Sequence, residues 1–108
     1  MNLYGLKNCD TCKKALKALE DAGKRVKFID IRDETDLPVK VPTWLVDAGA
    51  DKLINKRSTT WRGLSDKQKE GDPLPLLIAN PTLIKRPVIE RGKSLFVGWG
   101  KDVIEALT

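Results

Sequence analysis

The sequence predicts an α/β protein with a mixed β-sheet, and patterns at its two ends support this fold class. Over the first 31 residues an apolar run, a segment of helical periodicity and a second β-branched run follow one another, which is typical of a βαβ unit with parallel strands. Near the C terminus two β-rich runs flank a turn and precede a helical segment, which predicts a hairpin and a closing helix. A chain of 108 residues can bury its own core, so we expect residues 1–108 to form a single domain.

The N-terminal elements follow from local periodicity and from helix start and stop signals. Residues 1–4 predict the first strand, and residues 26–31 predict the second. Between them, Asp10 and Thr11 are suited to a helix start and Gly23 to its end. One face of this helix collects the apolar positions Cys12, Ala15, Leu16, Leu19 and Ala22.

The middle of the chain, about residues 37–82, predicts a helical insertion between the two parts of the sheet. A polar segment that contains Pro38 and Pro42 interrupts the regular pattern of the sequence. After it, Thr43 is expected to cap a short helix that carries Trp44 on its inner face. Further helical segments are predicted over residues 51–54, 65–69 and 73–79.

Both cysteines of the chain, Cys9 and Cys12, lie where the first strand meets the first helix. The free N–H groups and the positive end of the helix dipole favour a thiolate there, and Lys7 adds positive charge. Because Cys12 lies on the apolar helix face, we expect Cys9 to be the exposed nucleophile and Cys12 the resolving thiol. A Cys-x-x-Cys in this position is typical of a thioredoxin-like redox motif. Two ordinary buried thiols, or half of a zinc site, are the alternatives.

Composition excludes several classes of function. The chain has no histidine, which removes Cys-His and Ser-His-Asp arrangements, and two cysteines do not complete a zinc site, so we expect no metal. The net charge of +5 suits an anionic substrate, but the scattered basic residues lack interleaved aromatics, so we expect no direct nucleic-acid binding. No apolar run approaches the ~20 residues of a membrane span, and no signal-peptide pattern is present. We expect a cytoplasmic monomer without membrane contact.

The remaining segments complete the predicted fold. Residues 55–62 predict a polar loop, which is either a solvated connection or an anion-binding loop near the thiol. Residues 80–90 lead into a third strand, and in a thioredoxin-type fold the Arg86–Pro87 bond is expected to be cis and to face the cysteine loop. A hairpin turn, a fourth strand and a closing helix are predicted over residues 90–94, 95–97 and 101–107.

Four segments together resemble the arsenate reductase (ArsC) family, especially its YffB-like and Spx-like branches. They are Tyr-Gly-Leu-Lys-Asn-Cys-Asp-Thr at 4–11, Asn-Lys-Arg-Ser-Thr-Thr-Trp-Arg at 55–62, Ile-Lys-Arg-Pro at 84–87 and the hairpin with Gly92. The resemblance covers essentially the whole chain and is far more specific than the Cys-x-x-Cys alone. It implies a thioredoxin-like fold in which βαβ and ββα halves flank a helical insertion.

The resemblance also implies the site residues. Cys9 matches the family's catalytic cysteine, which attacks arsenate and is then resolved with glutathione and glutaredoxin. Arg57 resembles the family's first anion-binding arginine, and Arg86 the arginine before the proline. The other residues that we expect at the anion or substrate site are Lys7, Asn8, Thr11 and Pro87. No bound cofactor is expected, glutathione is the expected co-substrate, and glutathione or glutaredoxin is the expected partner.

Two departures from the arsenate reductases shape the expected activity. Those enzymes have a third arginine after the hairpin, where residues 95–99 of this chain have none, which argues against efficient arsenate reduction. They lack a cysteine at the position of Cys12, whereas Spx-like members use a Cys-x-x-Cys as a redox switch in a regulator that binds RNA polymerase. We expect a glutathione- or glutaredoxin-linked thiol–disulfide oxidoreductase acting on small anionic or disulfide substrates, with arsenate as one candidate. The alternative is an Spx-like redox-sensing transcriptional regulator that binds the RNA polymerase α subunit.

Overall fold

A computed structural model describes all 108 residues, and the chain divides into two compact units. The sheet unit comprises residues 1–35 and 86–108, and the helical unit comprises residues 36–85. The expected helical insertion at about 37–82 falls within the second of these ranges. That the whole chain folds as one domain stays a prediction.

The sheet unit contains four strands in the order β2-β1-β3-β4: β1 is Asn2–Gly5, β2 Lys27–Asp30, β3 Val88–Arg91 and β4 Ser94–Val97. Strand β1 pairs parallel with β2 and antiparallel with β3, and β3 pairs antiparallel with β4. The sheet is therefore mixed, as predicted. The β3–β4 turn contains Gly92, whose φ of 58° lies in the left-handed region that glycine enters without steric cost.

Seven α-helices accompany the sheet, and each is too short or too polar to span a lipid bilayer. In chain order they are α1 Asp10–Asp21, α2 Leu37–Ala48, α3 Ala50–Leu53, α4 Thr59–Arg62, α5 Asp66–Glu70, α6 Pro73–Ala79 and α7 Lys101–Leu107. The bounds of α6 and α7 are those predicted from the sequence. A 3₁₀ turn, Pro81–Leu83, precedes the segment that enters β3.

Helices α1 and α7 pack with strands β1 and β3 to form a buried apolar cluster in the sheet unit. Leu3 and Ile89 stand opposite each other on β1 and β3 and are fully buried. The helical residues that join them in one buried cluster are Ala15, Leu19, Val103 and Leu107. The buried face of α1 follows the predicted apolar stripe, except that Leu16 is only partly buried and Ala22 lies beyond the end of the helix and is exposed.

The prediction of a short helix capped by Thr43 is wrong, because α2 begins six residues earlier, at Leu37, and runs through Pro42. Its N-cap is Asp36. Pro38 lies in the first turn, where the missing N–H costs no helical hydrogen bond. Burial decides the outcome: Leu37, Val41 and Trp44 fall on one helix face and are all buried, which offsets the proline within the helix.

The predicted loop over residues 55–62 is correct only for its first half. Its second half forms α4, because the Ser58 side chain accepts a hydrogen bond from the Trp61 N–H and caps the helix. In the same unit α2 packs against α6, and the backbone of Asn55 pairs with that of Leu83 over an N···O distance of 2.8 Å. The residues around Arg57 are therefore held between a helix cap and a short strand-like bridge.

Candidate active site

The loop between β1 and α1 places Cys9 at the N-cap of the helix. Its N–H donates to the carbonyl of Leu6 over 3.1 Å, and its carbonyl accepts from the N–H of Lys13 over 3.0 Å. The backbone of Cys9 is thus fixed both to the loop and to the first helical turn. Its side chain is half-buried and carries a free thiol. This is the position that the sequence predicted for the nucleophile.

The pKa of the Cys9 thiol lies below its usual value. Partial burial acts in the opposite direction and would raise this pKa, but several groups that stabilise the thiolate outweigh it. The largest of these are the backbone N–H and the thiol of Cys12, followed by the positive charge of Arg86 and the backbone N–H of Thr11. The helix start and a single arginine therefore replace the imidazole that this chain lacks.

The pKa of the Cys12 thiol is shifted in the opposite direction to that of Cys9. It is fully buried one helical turn after Cys9, and burial, together with the neighbouring Cys9 sulfur, raises its pKa to about 12. The expectation that Cys12 is the more buried of the two cysteines is confirmed. At neutral pH Cys12 is protonated, and its thiol is close enough to Cys9 to interact with it.

Gly5, the last residue of β1, is a site residue that the sequence analysis missed. A Cβ atom added at this position would lie 2.5 Å from the Cys12 Sγ atom, which is closer than van der Waals contact allows. The missing side chain of Gly5 therefore provides the space that the Cys12 sulfur occupies. A glycine at the end of a strand beside a reactive loop was the available signal, because such glycines often mark a close approach of another group.

Arg86 reaches the cysteine loop because of the antiparallel register of β3 on β1. Val88 stands opposite Tyr4, so the register carries Pro87 to the level of Gly5, the last residue of β1, and Arg86 just past the end of that strand. The Arg86–Pro87 bond is cis, as predicted, and Pro87 is buried. One guanidinium nitrogen of Arg86, Nη1, is buried and makes no hydrogen bond within the protein. A buried cationic donor of this kind favours an anion as its partner.

The other predicted site residues divide between the two units. Lys7, Asn8 and Thr11 are exposed and belong to the loop and first turn around Cys9. Arg57 belongs to the helical unit, where it is exposed and its backbone N–H donates to the Asn55 side-chain oxygen over 3.1 Å. It lines a cavity of about 350 Å³ whose other charged residues are Asp51, Lys56 and Lys85. That Arg57 serves the same anion as Cys9 stays a prediction.

The mixed sheet, the βαβ crossover and the ββα end define a thioredoxin-like fold, with a Cys-x-x-Cys at the start of its first helix. The chain belongs to the ArsC family, whose model matches residues 4–107. This confirms the family resemblance drawn from the sequence.

Relatives cover nearly the whole chain. An uncharacterised protein from Haemophilus influenzae is 42% identical over 98% of this chain and 96% of its own length. The global transcriptional regulator Spx of Listeria monocytogenes is 31% identical over 96% of this chain and 83% of its own length. Sequence likeness therefore extends to proteins without an assigned activity and to a regulator.

Two solved structures share the fold over nearly their full length. A protein named YffB is 33% identical, with a TM-score of 0.87 and coverage of 98% of this chain and 96% of its own. An arsenate reductase (ArsC) related protein from Brucella melitensis is 35% identical, with a TM-score of 0.79 and coverage of 97% and 91%. The thioredoxin-like fold predicted from the sequence is confirmed.

Proposed function

We propose that this protein is a thiol–disulfide oxidoreductase that reduces glutathione mixed disulfides, with Cys9 as nucleophile and Cys12 as resolving thiol. One observation carries the proposal: two thiols one helical turn apart have pKa values shifted in opposite directions. Only a thiolate attacks a disulfide, so the lowered pKa of Cys9 makes it the attacking group. Membership of the ArsC family supports a reductase.

In the first step the Cys9 thiolate attacks the glutathione sulfur of a mixed disulfide. A Cys9–glutathione disulfide forms, the substrate sulfur leaves as a thiolate, and that thiolate takes a proton from solvent. Arg86 supports this step twice, because its charge favours the Cys9 thiolate and its buried Nη1 can donate to an anionic substrate group. Lys7, exposed in the same loop, adds a further positive charge near the thiol.

In the second step Cys12 attacks the Cys9 sulfur and displaces glutathione as a thiolate. The protein thiols lose two electrons as the Cys9–Cys12 disulfide forms, and these electrons reduce the substrate disulfide to two thiols. Once Cys9 is no longer a thiolate, its negative charge stops raising the pKa of Cys12. Cys12 then loses its proton more readily, and two molecules of glutathione, or a glutaredoxin dithiol, restore the reduced pair.

Single-turnover mass spectrometry tests this assignment. Reduced protein is mixed with the disulfide of glutathione and 2-mercaptoethanol and sampled over time. The native chain should form the Cys9–Cys12 disulfide, and Cys12→Ser should accumulate the Cys9–glutathione adduct because nothing resolves it. Cys9→Ser should do neither. If Cys9→Ser released substrate thiol as fast as the native chain, the proposed nucleophile would be wrong.

Arsenate is a narrower candidate substrate for the same thiol. Arsenate is a small oxyanion, and the buried Nη1 of Arg86 supports binding of such an anion beside Cys9. Residues 95–99 carry no arginine to add a second guanidinium. We therefore expect arsenate turnover, coupled to glutathione, glutaredoxin and NADPH oxidation, to be much slower than turnover of the mixed disulfide.

The similarity to Spx supports a second candidate, a redox-controlled transcriptional regulator. In that case the Cys9–Cys12 pair would control binding to the RNA polymerase α subunit rather than reduce a substrate. A pull-down of the purified α subunit with the reduced and the oxidised chain separates the two candidates. Binding in only one redox state would favour the regulator, and no binding in either state would remove it.

A further inference from the structure

We propose that a groove beside the cysteine loop selects the substrate, and that it takes the half of a mixed disulfide carrying an apolar chain that ends in a carboxylate. This inference rests on the proposed thiol chemistry, because it names the substrate class of the same site. Its basis is a groove lined by Leu6, Lys7, Lys13, Leu16 and Phe28, with a cavity volume of about 270 Å³.

The groove is built from three elements of the sheet unit and is almost entirely apolar. Leu6 comes from the loop after β1, Leu16 from α1 and Phe28 from β2. Leu16 and Phe28 are only partly buried, although both pack against the core. An apolar chain placed on them would remove that surface from water, which is the main source of affinity in such a groove.

Two lysines give the groove its charge preference. Lys7 and Lys13 are exposed, yet both contribute to an apolar lining, so their aliphatic stems form walls while their ammonium groups reach solvent. Lys7 also interacts with Asp30: burial would raise the pKa of this carboxyl, but the backbone N–H groups of Asp33 and Arg32, the charge of Arg32 and, last, that of Lys7 lower it. Lys13 follows Asp10 by three residues on α1, and it is the lysine changed in the test below. A carboxylate at the end of an apolar chain matches this arrangement, whereas a cationic chain does not.

The groove and the nucleophile share one short loop. Leu6 lines the groove, and its carbonyl accepts the hydrogen bond from the Cys9 N–H. Lys7 lines the groove and lies two residues before Cys9. A substrate chain held against Leu6 and Lys7 thus brings its disulfide next to the turn that carries the Cys9 thiol.

The chemistry of this substrate is that of the proposed function. The Cys9 thiolate attacks the glutathione sulfur, the bond between the two substrate sulfurs breaks, and the apolar chain leaves the groove as a thiolate that takes a proton from solvent. Cys12 then closes the Cys9–Cys12 disulfide and releases glutathione. The two protein thiols supply both electrons, so a single turnover needs no other reductant.

Binding is measured first, without any reaction, in Cys9→Ser protein. Hexanoate is titrated against the ¹⁵N-labelled chain, with hexanol as the probe that lacks the carboxylate and acetate as the probe that lacks the chain. We expect saturable amide shifts at Leu6, Lys13, Leu16 and Phe28 with hexanoate, and about fivefold weaker binding of hexanol, the size of one exposed charge pair. Acetate should leave these four amides unmoved.

Matched variants separate charge from apolar contact. In the same Cys9→Ser background, Lys13→Glu should abolish the preference for hexanoate over hexanol, whereas Lys14→Glu, a neighbouring exposed lysine outside the groove, should retain it. Leu16→Gln should weaken both ligands. Ile104→Gln, at a partly exposed apolar position on α7, should weaken neither. Thermal melts confirm that each variant is folded.

Kinetics then connect the groove to the reaction. In a chain with both cysteines, the mixed disulfide of glutathione and mercaptohexanoate should react with a severalfold higher second-order rate constant than that of glutathione and 2-mercaptoethanol. Lys13→Glu should remove this advantage, which is measured as the ratio of the two rate constants within each protein so that any general effect of the charge reversal on the shared glutathione half cancels.

The outcomes are distinguishable. Absence of groove shifts, or an unchanged hexanoate preference in Lys13→Glu, would overturn the groove assignment alone while Cys9-dependent reduction of the small disulfide persisted. Groove binding without any Cys9-dependent reduction would overturn the thiol chemistry, and the substrate assignment with it.

Discussion

At the residue scale, the chemistry of this chain depends on two thiols with opposite protonation preferences. Cys9 is half-buried at a helix start, next to cationic and N–H groups that favour its thiolate, whereas burial keeps Cys12 protonated. A resolving thiol that stays protonated until Cys9 has reacted does not compete for substrate. The order of the two steps therefore follows from where each sulfur lies.

Arg86 is expected to set the reactivity of Cys9. Its charge lowers the pKa of the Cys9 thiol, so the iodoacetamide alkylation rate of Cys12→Ser protein should rise with pH to a midpoint below that of a free cysteine, ~8.5. Adding Arg86→Gln should move the midpoint upward. Arg25→Gln, at an exposed arginine in the same unit, is the control and should leave it in place. An equal midpoint in all three proteins would show that Arg86 does not act on Cys9.

Gly5 is expected to be required for the position of Cys12. In Gly5→Ala the new methyl group would overlap the Cys12 sulfur, so we expect a loss of about 1–3 kcal/mol in the free energy of unfolding, typical of an overpacked core. Cys12→Ala should restore most of that loss in the double variant, because the overlapping sulfur is gone. Urea unfolding of the four proteins measures the coupling. If the two substitutions changed the free energy of unfolding additively, the new methyl group would be clashing with a group other than the Cys12 sulfur.

At the element scale, α2 illustrates how burial of an apolar face decides where a helix begins. Pro42 removes one backbone hydrogen bond within this helix, and the buried positions Leu37, Val41 and Trp44 lie on both sides of the gap. Local rules place a helix boundary at such a proline. The helix nevertheless continues through Pro42, because a helix that started at Thr43 would not include Leu37 and Val41 in its buried face.

The two prolines of α2 offer a matched pair of substitutions. Pro42→Ala should restore the missing hydrogen bond to the Pro38 carbonyl and raise the free energy of unfolding by about 1–2 kcal/mol, after allowance for the more flexible unfolded chain. Pro38→Ala should not raise it, because the first turn of a helix needs no N–H at that position. Chemical denaturation of both variants provides the comparison. Stabilisation by Pro38→Ala alone would contradict this account of the helix.

At the scale of the whole molecule, the chain carries a net charge of +5 and no histidine. A positive field attracts anionic substrates and is screened by salt over about 10 Å at 0.1 M ionic strength. Between pH 5 and 8 no imidazole titrates, so the pH dependence of reactivity in this range should follow Cys9. Electrostatic attraction and thiol ionisation can thus be measured separately.

Salt dependence is the expected signature of that field. The rate constant for reduction of glutathione disulfide, an anion, should fall severalfold as NaCl is raised from low concentration to about 0.5 M. The rate constant for hydroxyethyl disulfide, which is neutral, should change little and serves as the control. Stopped-flow measurement of both at one pH compares them directly. Equal salt dependence would show that net charge does not contribute to substrate attraction.

Much of the fold could be predicted because its signals are local. The βαβ order, the hairpin, α6 and α7 all follow from short runs with clear periodicity and recognisable caps. The predictions that were wrong or incomplete, the start of α2 and the helical second half of residues 55–62, concern segments whose outcome depends on burial and capping. The burial that sets the start of α2 involves partners that a short window of sequence does not contain, whereas the Ser58 cap of α4 is a local signal that the sequence analysis missed.

The sequence by itself determined that a Cys-x-x-Cys stands at the start of a helix. Both the helical periodicity and the strand before it can be recognised within about twenty residues. Only the tertiary structure decided that Gly5 gives Cys12 its space, whereas the place of Arg86 near the cysteine loop was expected from the thioredoxin-like fold and the family resemblance rather than from a local pattern. The pairing of β3 with β1 joins residues more than eighty positions apart in the chain. Such contacts are fixed by strand register and core packing, which no local pattern specifies.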